Sequence, residues 1–303
     1  MKLSDVISGV VEGRLLRDGE FRQIAFATEM EQEQFLTFLE KEKFIDSLNN
    51  PNISCVLVTP ELADAVPPHI QGVFVCDAPK AALFDIHNAM AKDERYVGTA
   101  FPTKVGKDCS ISPLSYIDPQ NVIIGDHVTI EPFAVIKGRV TIGNHAVIHS
   151  GVIVGCKGFS FSKDMQGNNV SVIDAAEIII EDHVELFEQM VISTGLFPWE
   201  KTIIGENTKV DAQCLIGHGA KIGRNCLIAE GARCCGNSCV GDNTWIGVGA
   251  IVSNRVCVGS NARVSIGAVV TKDVPDGMTV TGNFAIPHQR FLQNLKESVK
   301  EKE

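Results

Sequence analysis

Among the side chains able to do chemistry, one histidine stands apart. His218 is third in the hexad Ile216-Gly-His-Gly-Ala-Lys221, at a place where a tight corner ordinarily takes Asp, Asn or Gly. The glycines on both sides give another molecule close access to the backbone. Eighteen residues further on stands Gly236. A base beside an exposed N–H is the minimum apparatus for acyl transfer, one removing a proton and the other steadying an oxyanion. The same residue fits an ordinary turn histidine equally well, and the spacing alone leaves both readings open.

The other histidines and the cysteines point to structure. His127 and His145 are eighteen apart, and His183 takes the equivalent place in Glu181-Asp-His183, which suits stacked, solvated corner residues. A three-histidine zinc site would need a third ligand that nothing marks. Cys234, Cys235 and Cys239 lack paired Cys-x-x-Cys spacing. Free cysteine behaves as a small hydrophobe, so packing is expected, with Cys234 facing inward and Cys239 stacked on Cys257. No metal and no cofactor are expected.

What must hold His218 and Gly236 together is a repeat. From Ile204 to Pro275 the chain divides into twelve hexads with no residue left over. Their first positions run Ile204, Val210, Ile216, Ile222, Ile228, Cys234, Val240, Ile246, Val252, Val258, Val264 and Val270, eleven of the twelve β-branched. A helical face repeats near 3.6 residues, whereas six is a multiple of the strand period of two. Gly205, Gly223, Gly241 and Gly259 add a period of eighteen. Three hexads therefore make one coil of a parallel β-helix, and residues eighteen apart lie one strand spacing apart, about 4.8 Å.

The same phase heads hexads at Ile124, Ile130, Ile136, Ile142, Ile148 and Val154, and again at Ile180, Leu186 and Ile192. About eight coils are expected, a prism of order 40 Å long. Interruptions at 160–176 and 196–202 break the repeat. Insertions in repeat proteins loop out on one face, often the binding face.

Before the prism, Ile53–Thr59 and Gly72–Cys76 read as buried strands and Pro79–Lys92 as a helix. Residues 32–48 fit either one amphipathic helix or a strand, a turn and a helix. The expectation is a mainly β protein: a small α/β domain over 1–98, a hexapeptide β-helix over 99–283, and a helical tail over 284–303. Phe291, Leu292, Leu295 and Val299 fall at helical spacing, suited to packing on the prism or on a neighbouring subunit. A glycine-rich phosphate loop is lacking, which argues against a dinucleotide site of the usual kind. A net charge of −10 argues against a nucleic-acid partner. Neither a secretory signal nor a membrane span is expected, and a cytoplasmic location follows by default.

Two segments carry a resemblance. Ile148-His-Ser-Gly151 with Gly155-Cys-Lys-Gly-Phe-Ser-Phe161, and Val210-Asp-Ala-Gln-Cys-Leu-Ile-Gly-His218, are similar to motifs of the UDP-3-O-acylglucosamine N-acyltransferases of lipid A synthesis. That resemblance implies a left-handed prism and an enzyme that moves an acyl group from a thioester to the amine of a UDP-amino-sugar. It makes His218 the general base, Asp211 the partner that orients its imidazole, and Gly236 N–H the oxyanion donor. It also implies substrate contacts from His149, Phe159 and Phe161. Phe38 and Phe44 look like the family's pair that sandwiches uracil, which favours the strand–turn–helix reading of 32–48. The donor is acyl-carrier protein or a CoA thioester, and the assembly a homotrimer.

This sequence also departs from the family. Lys157 replaces an Asp, Ser160 a Gly, Gly219 the Asn that follows the histidine, and Arg255 a second histidine on the donor side. Two other readings stand beside the first: an acetyl-CoA-dependent sugar acetyltransferase of surface-polysaccharide synthesis, and a non-catalytic β-helix assembly module.

Overall fold

The structure is a computed structural model that describes all residues except 165, 283–284 and 301–303; the side chains of 295–300 also lie outside the description. The prism is built from three parallel sheets of nine, eight and eight strands. Most strands are two or three residues long, because each must turn a corner before the next hexad begins. Residues one coil apart pair in register, as in Ile216 with Cys234 and Cys239 with Cys257. All twelve β-helix heads from Ile204 to Val270 are buried, and they join the upstream heads in one continuous core. Period six thus becomes one buried column per sheet, each coil sealing the next.

The corners show why the repeat tolerates certain residues. His127, His145 and His183 adopt positive φ near 58° and stack with ring centroids 4.8 Å apart. That distance is the coil spacing itself. All ten cysteines are unpaired thiols, and Cys234 is wholly buried as expected.

The N-terminal sheet has the order β1-β5-β4-β3-β2, comprising β1 (Arg14–Arg17), β2 (Gln23–Ile24), β3 (Phe35–Leu39), β4 (Ile53–Val58) and β5 (Gly72–Val75). Four strands run parallel, and β1 pairs antiparallel on β5. Alternate residues serve opposite faces. Leu36, Leu57 and Phe74 pack with Leu83 and Ile86 of the helix over Pro79–Met90, while Phe35, Val56 and Val73 pack with Leu48 and Leu62. Residues 32–48 resolve as β3 followed by a 3₁₀ helix, Glu42–Asn49, so the single-helix alternative is excluded. Of the C-terminal helix over His288–Lys300, Phe291 and Leu292 are exposed, so this chain's own prism does not cover them; Leu295 and Val299 lie outside the described side chains.

The seam between sheet and prism is made by the two interruptions. The first contains a hairpin of Phe161–Lys163 against Asn169–Ser171. The segment that follows docks on the helix over Pro79–Met90: His87 Nε2 donates to Ile173 O at 2.7 Å, and Asn88 exchanges bonds with Ser171 and Ile173. His87 is fully buried, and burial lowers its pKa, which fits a neutral ring that accepts from Tyr96 Oη at Nδ1. The second interruption sends Leu196, Phe197 and Trp199 into the N-terminal core, with Trp199 Nε1 donating to Ile24 O at 2.8 Å.

Candidate active site

His218 follows the strand Leu215–Ile216 at a corner of the prism. Its carbonyl accepts Asn237 N–H at 2.7 Å, which fixes it directly against Gly236 on the next coil. A Cβ built on Gly236 would lie 2.3 Å from His218 Nε2. Only glycine leaves the imidazole room there, so Nε2 and the Gly236 backbone share one small space. The Gly236 N–H has no protein acceptor among the described residues. A base and an uncommitted N–H donor thus stand side by side.

The other ring nitrogen looks inward. His218 Nδ1 is buried without a hydrogen bond, and Glu200 Oε1 lies 3.9 Å from it. Glu200 is held firmly: it is 8 % exposed, Oε2 accepts Leu196 N–H at 2.6 Å, and Oε1 accepts Asn237 Nδ2 at 2.7 Å. Such a carboxylate favours the Nδ1–H tautomer and leaves the Nε2 lone pair facing Gly236. Hydrogen bonds in unliganded sites are often long and tighten with substrate bound.

Within this chain the carboxylate nearest His218 Nδ1 is that of Glu200, where the resemblance had implied Asp211. Within the chain Asp211 stands one corner earlier, after the strand Lys209–Val210, where its Oδ1 accepts Ala212 N–H at 2.7 Å and its neighbours include Phe187, Lys209 and Trp245. Seven residues span a whole face of the prism, so the two side chains leave it at different corners. The structure also explains Gly219. A Cβ there would meet Asn237 Oδ1 at 2.0 Å and Glu200 Cγ at 2.8 Å, and φ is +65°. The Glu200–Asn237 pair fits because residue 219 has no side chain.

The remaining expected residues are scattered around this centre. Phe38 is half-buried on β3 and meets Phe26 edge-on at 6.4 Å, whereas Phe44 is exposed with Lys43 Nζ 4.8 Å from its ring centroid. Among the described residues no ring contact joins Phe38 to Phe44. Phe26 carries the aromatic chain onward, meeting Phe197 at 5.6 Å and lying under Arg255. Phe159 is almost fully exposed and meets Phe161 edge-on at 5.0 Å.

His149 is engaged at both nitrogens, Nδ1 with Glu131 at 3.1 Å and Nε2 with Glu185 at 3.0 Å. Burial opposes its charge, but bonds to Glu185 and Glu131 win, and its pKa is raised. Glu131, His149 and Glu188 also bring one ligand atom each within 4.8 Å of one another, the spacing at which a metal ion could be held.

Two residues of the site carried no sequence signal: Glu200 lies in the second interruption, and Asn237, which bonds it, stands at a corner of a later coil. Asp174 lies near the end of the first interruption. Asp174 Oδ2 accepts Gly158 N–H at 2.8 Å. It lines a cavity of about 730 Å³ together with Lys157, Cys156 and Thr194.

This architecture, a mainly β parallel prism of the left-handed hexapeptide kind, is matched by comparison with known proteins. The bacterial transferase hexapeptide family, described as six repeats, matches residues 121–156 and 201–236. Curated relatives are named UDP-3-O-acylglucosamine N-acyltransferase. The protein from Coxiella burnetii is 26 % identical over 189 residues, 54 % of this chain and 54 % of that one. That from Rhizobium meliloti is 36 % identical over 70 residues, 23 % of this chain and 19 % of that one. The chain therefore spans about half the length of the first of these relatives, and less of the second. Among solved structures, a UDP-N-acetylglucosamine acyltransferase from Campylobacter jejuni superposes with a TM-score of 0.53 at 25 % identity, covering 60 % of this chain and 68 % of that one. Among the described residues no helix is long and apolar enough to cross a membrane.

Proposed function

We propose that this chain is an N-acyltransferase that moves an acyl group from a thioester, carried by acyl-carrier protein or CoA, to the amine of a UDP-amino-sugar. One observation carries the proposal: His218 Nε2 faces the unengaged backbone of Gly236 while Nδ1 faces the buried carboxylate of Glu200. The relatives' names supply the substrate class.

In the reaction the amine nitrogen attacks the thioester carbonyl. His218 Nε2 removes a proton from that nitrogen as the C–N bond forms, and Glu200 steadies the imidazolium through Nδ1–H. Gly236 N–H donates to the carbonyl oxygen as it gains negative charge. Collapse breaks the C–S bond, and the proton on His218 passes to the departing thiolate. No metal or redox step is needed for this balance.

Phe44, which is exposed, and Phe38, which is half-buried, offer aromatic surface for the uracil ring. Three copies in parallel form the assembly we propose, with exposed apolar groups such as Trp245, Ile266 and Val269 meeting a neighbour. The test is the mass of the product formed from the protein, a UDP-2-amino-sugar and a mixed pool of acyl thioesters. An amide-linked acyl adduct is expected; an unchanged sugar across all donors would refute the reading.

A further inference from the structure

The cavity of about 730 Å³ has a charge pattern that the His218 corner leaves unused. Lys137, Arg139 and Lys157 all line it, and none of the three makes an ion pair among the described residues. Arg139 Nη2 donates to Gly98 O at 2.9 Å, next in the chain to Val97 of the cavity wall. Lys157 Nζ donates to Ser171 Oγ and lies 5.9 Å from the Phe161 ring centroid. Lys137 is exposed, and its ammonium has no partner among the described residues. The carboxylates beside the cavity are already engaged. Asp174 accepts Gly158 N–H at 2.8 Å, and Asp118 accepts Gly138 N–H and Tyr116 Oη, each at 2.7 Å. Ala91, Val97, Ile153 and Ile173 give the wall an apolar part.

This cavity runs along the same edge of the prism as the histidine. Ile136, Val154, Ile192 and Ile216 pair in register on successive coils. Lys137 therefore stands three coils from the His218 corner, about 14 Å along the axis, and Thr194 of the cavity wall stands one coil from it. Hydrogen bonds span that last step: Gly219 N–H donates to Thr202 Oγ1 at 2.9 Å, and Thr202 Oγ1 donates to Ser193 O at 3.0 Å.

Three cations without ion-pair partners, in a chain of net charge −10, mark a place for concentrated negative charge. The volume is ordinary for a small-molecule site, which spans about 300–1,000 Å³. We infer that this cavity binds the phosphate groups of a substrate. Arg139 has planar N–H donors to spare beyond the one given to Gly98 O, and Lys137 and Lys157 act as point charges. A diphosphate carries the charge these groups can meet, whereas a thioester or a sugar hydroxyl does not. Both a UDP-sugar and CoA contain one. The anion site stands on the cavity itself; that its occupant is a substrate rests on the acyltransferase reading.

The test is calorimetric binding of inorganic pyrophosphate, UDP and CoA to the full chain, as wild type and as Lys137→Gln, Lys157→Gln and Lys272→Gln. Lys272 is exposed on the last coil, so its variant loses the same charge away from the cavity. Each of the first two should weaken pyrophosphate about tenfold, the effect of losing one charge-assisted contact, with Tm unchanged. Lys272→Gln should bind as wild type. Should one cavity variant fail to fold, the other decides against the same control. Whichever of UDP and CoA shows matching losses is the substrate whose phosphates the cavity holds. Pyrophosphate that does not bind wild type, or that binds all three variants alike, overturns the site. Losses confined to pyrophosphate, with UDP or CoA bound unchanged, refute a substrate as its occupant. If pyrophosphate shows the losses but UDP and CoA do not bind wild type at all, the anion site stands and the acyltransferase reading falls.

Discussion

The run from Ile204 to Pro275 and the interrupted part from Gly155 to Thr202 share one scaffold and divide its labour. In the regular run every hexad head is buried, and successive coils differ little from one another. In the interrupted part, the same coils give way to two segments that reach the N-terminal domain, one bonding His87 and Asn88 and the other placing Trp199 on Ile24, and the second brings Glu200 to the prism corner. His218 and Gly236 belong to the regular run, yet they gain chemical meaning only where Glu200 comes to face them. Repetition supplies a rigid spacing, and the breaks in it supply the charges.

The sharpest way to break that division is a matched pair of substitutions. His218→Ala should lower kcat by about 10²–10⁴-fold, the usual contribution of a positioned base, with Tm unchanged. Ile228→Ala, in the core of the same run, should do the reverse. It should cost about 2–5 kcal/mol of stability through the cavity it leaves, while the folded fraction keeps its kcat. Unfolding midpoints and single-turnover rates on both proteins check the pair. A stability loss in the first or a catalytic loss in the second would merge the two regions.

A smaller effect is expected at the N-terminal domain. Base stacking on an aromatic contributes about 1–3 kcal/mol, so Phe44→Ala should weaken UDP binding by roughly 5–150-fold without altering Tm. Phe38→Ala should weaken it too, but with a stability loss, because Phe38 is half-buried against Phe26. Equal UDP affinity in both variants would assign the pair to packing.

The smallest effect concerns pH. The folded pKa of His149 is raised, so its contribution is full below its ordinary value near 6.5 and is lost as pH rises through the folded value. The pKa of Glu131 is lowered, chiefly by its bonds to His149 and Ser150, so its contribution is full above its ordinary value and is lost on acidification. The pair should therefore stabilise most at about pH 5–6, by no more than about 1 kcal/mol given its exposure. Glu131→Gln should narrow its Tm gap from wild type as pH is raised toward 8; a gap that widened instead would contradict the pairing.

What was legible in the sequence follows from the same contrast. Period six announced the coils, the buried heads, the stack of His127, His145 and His183, and the Cys239–Cys257 register, because all depend on spacing along one strand. The strand–turn–helix reading near Phe38 also held, although the last piece is a 3₁₀ helix. Glu200 was invisible because Pro198-Trp-Glu-Lys201 has no period, and its partner Asn237 is set by where two later coils fall. Asp174 was hidden for the same reason, its bond to Gly158 spanning a sixteen-residue excursion.

The central claim, that a break in the repeat arms the histidine, is tested most directly by kcat for Glu200→Gln beside Asp211→Asn, both on the amino-sugar and thioester that wild type turns over. Glu200→Gln removes the charge that faces Nδ1 and should slow the reaction, by less than His218→Ala because the base remains. The double variant with His218→Ala should be no slower than His218→Ala alone, since the two act as one unit. Asp211→Asn, at another corner, should keep wild-type turnover. The opposite order, with Asp211→Asn slow and Glu200→Gln at full rate, would place the orienting carboxylate elsewhere and contradict the account.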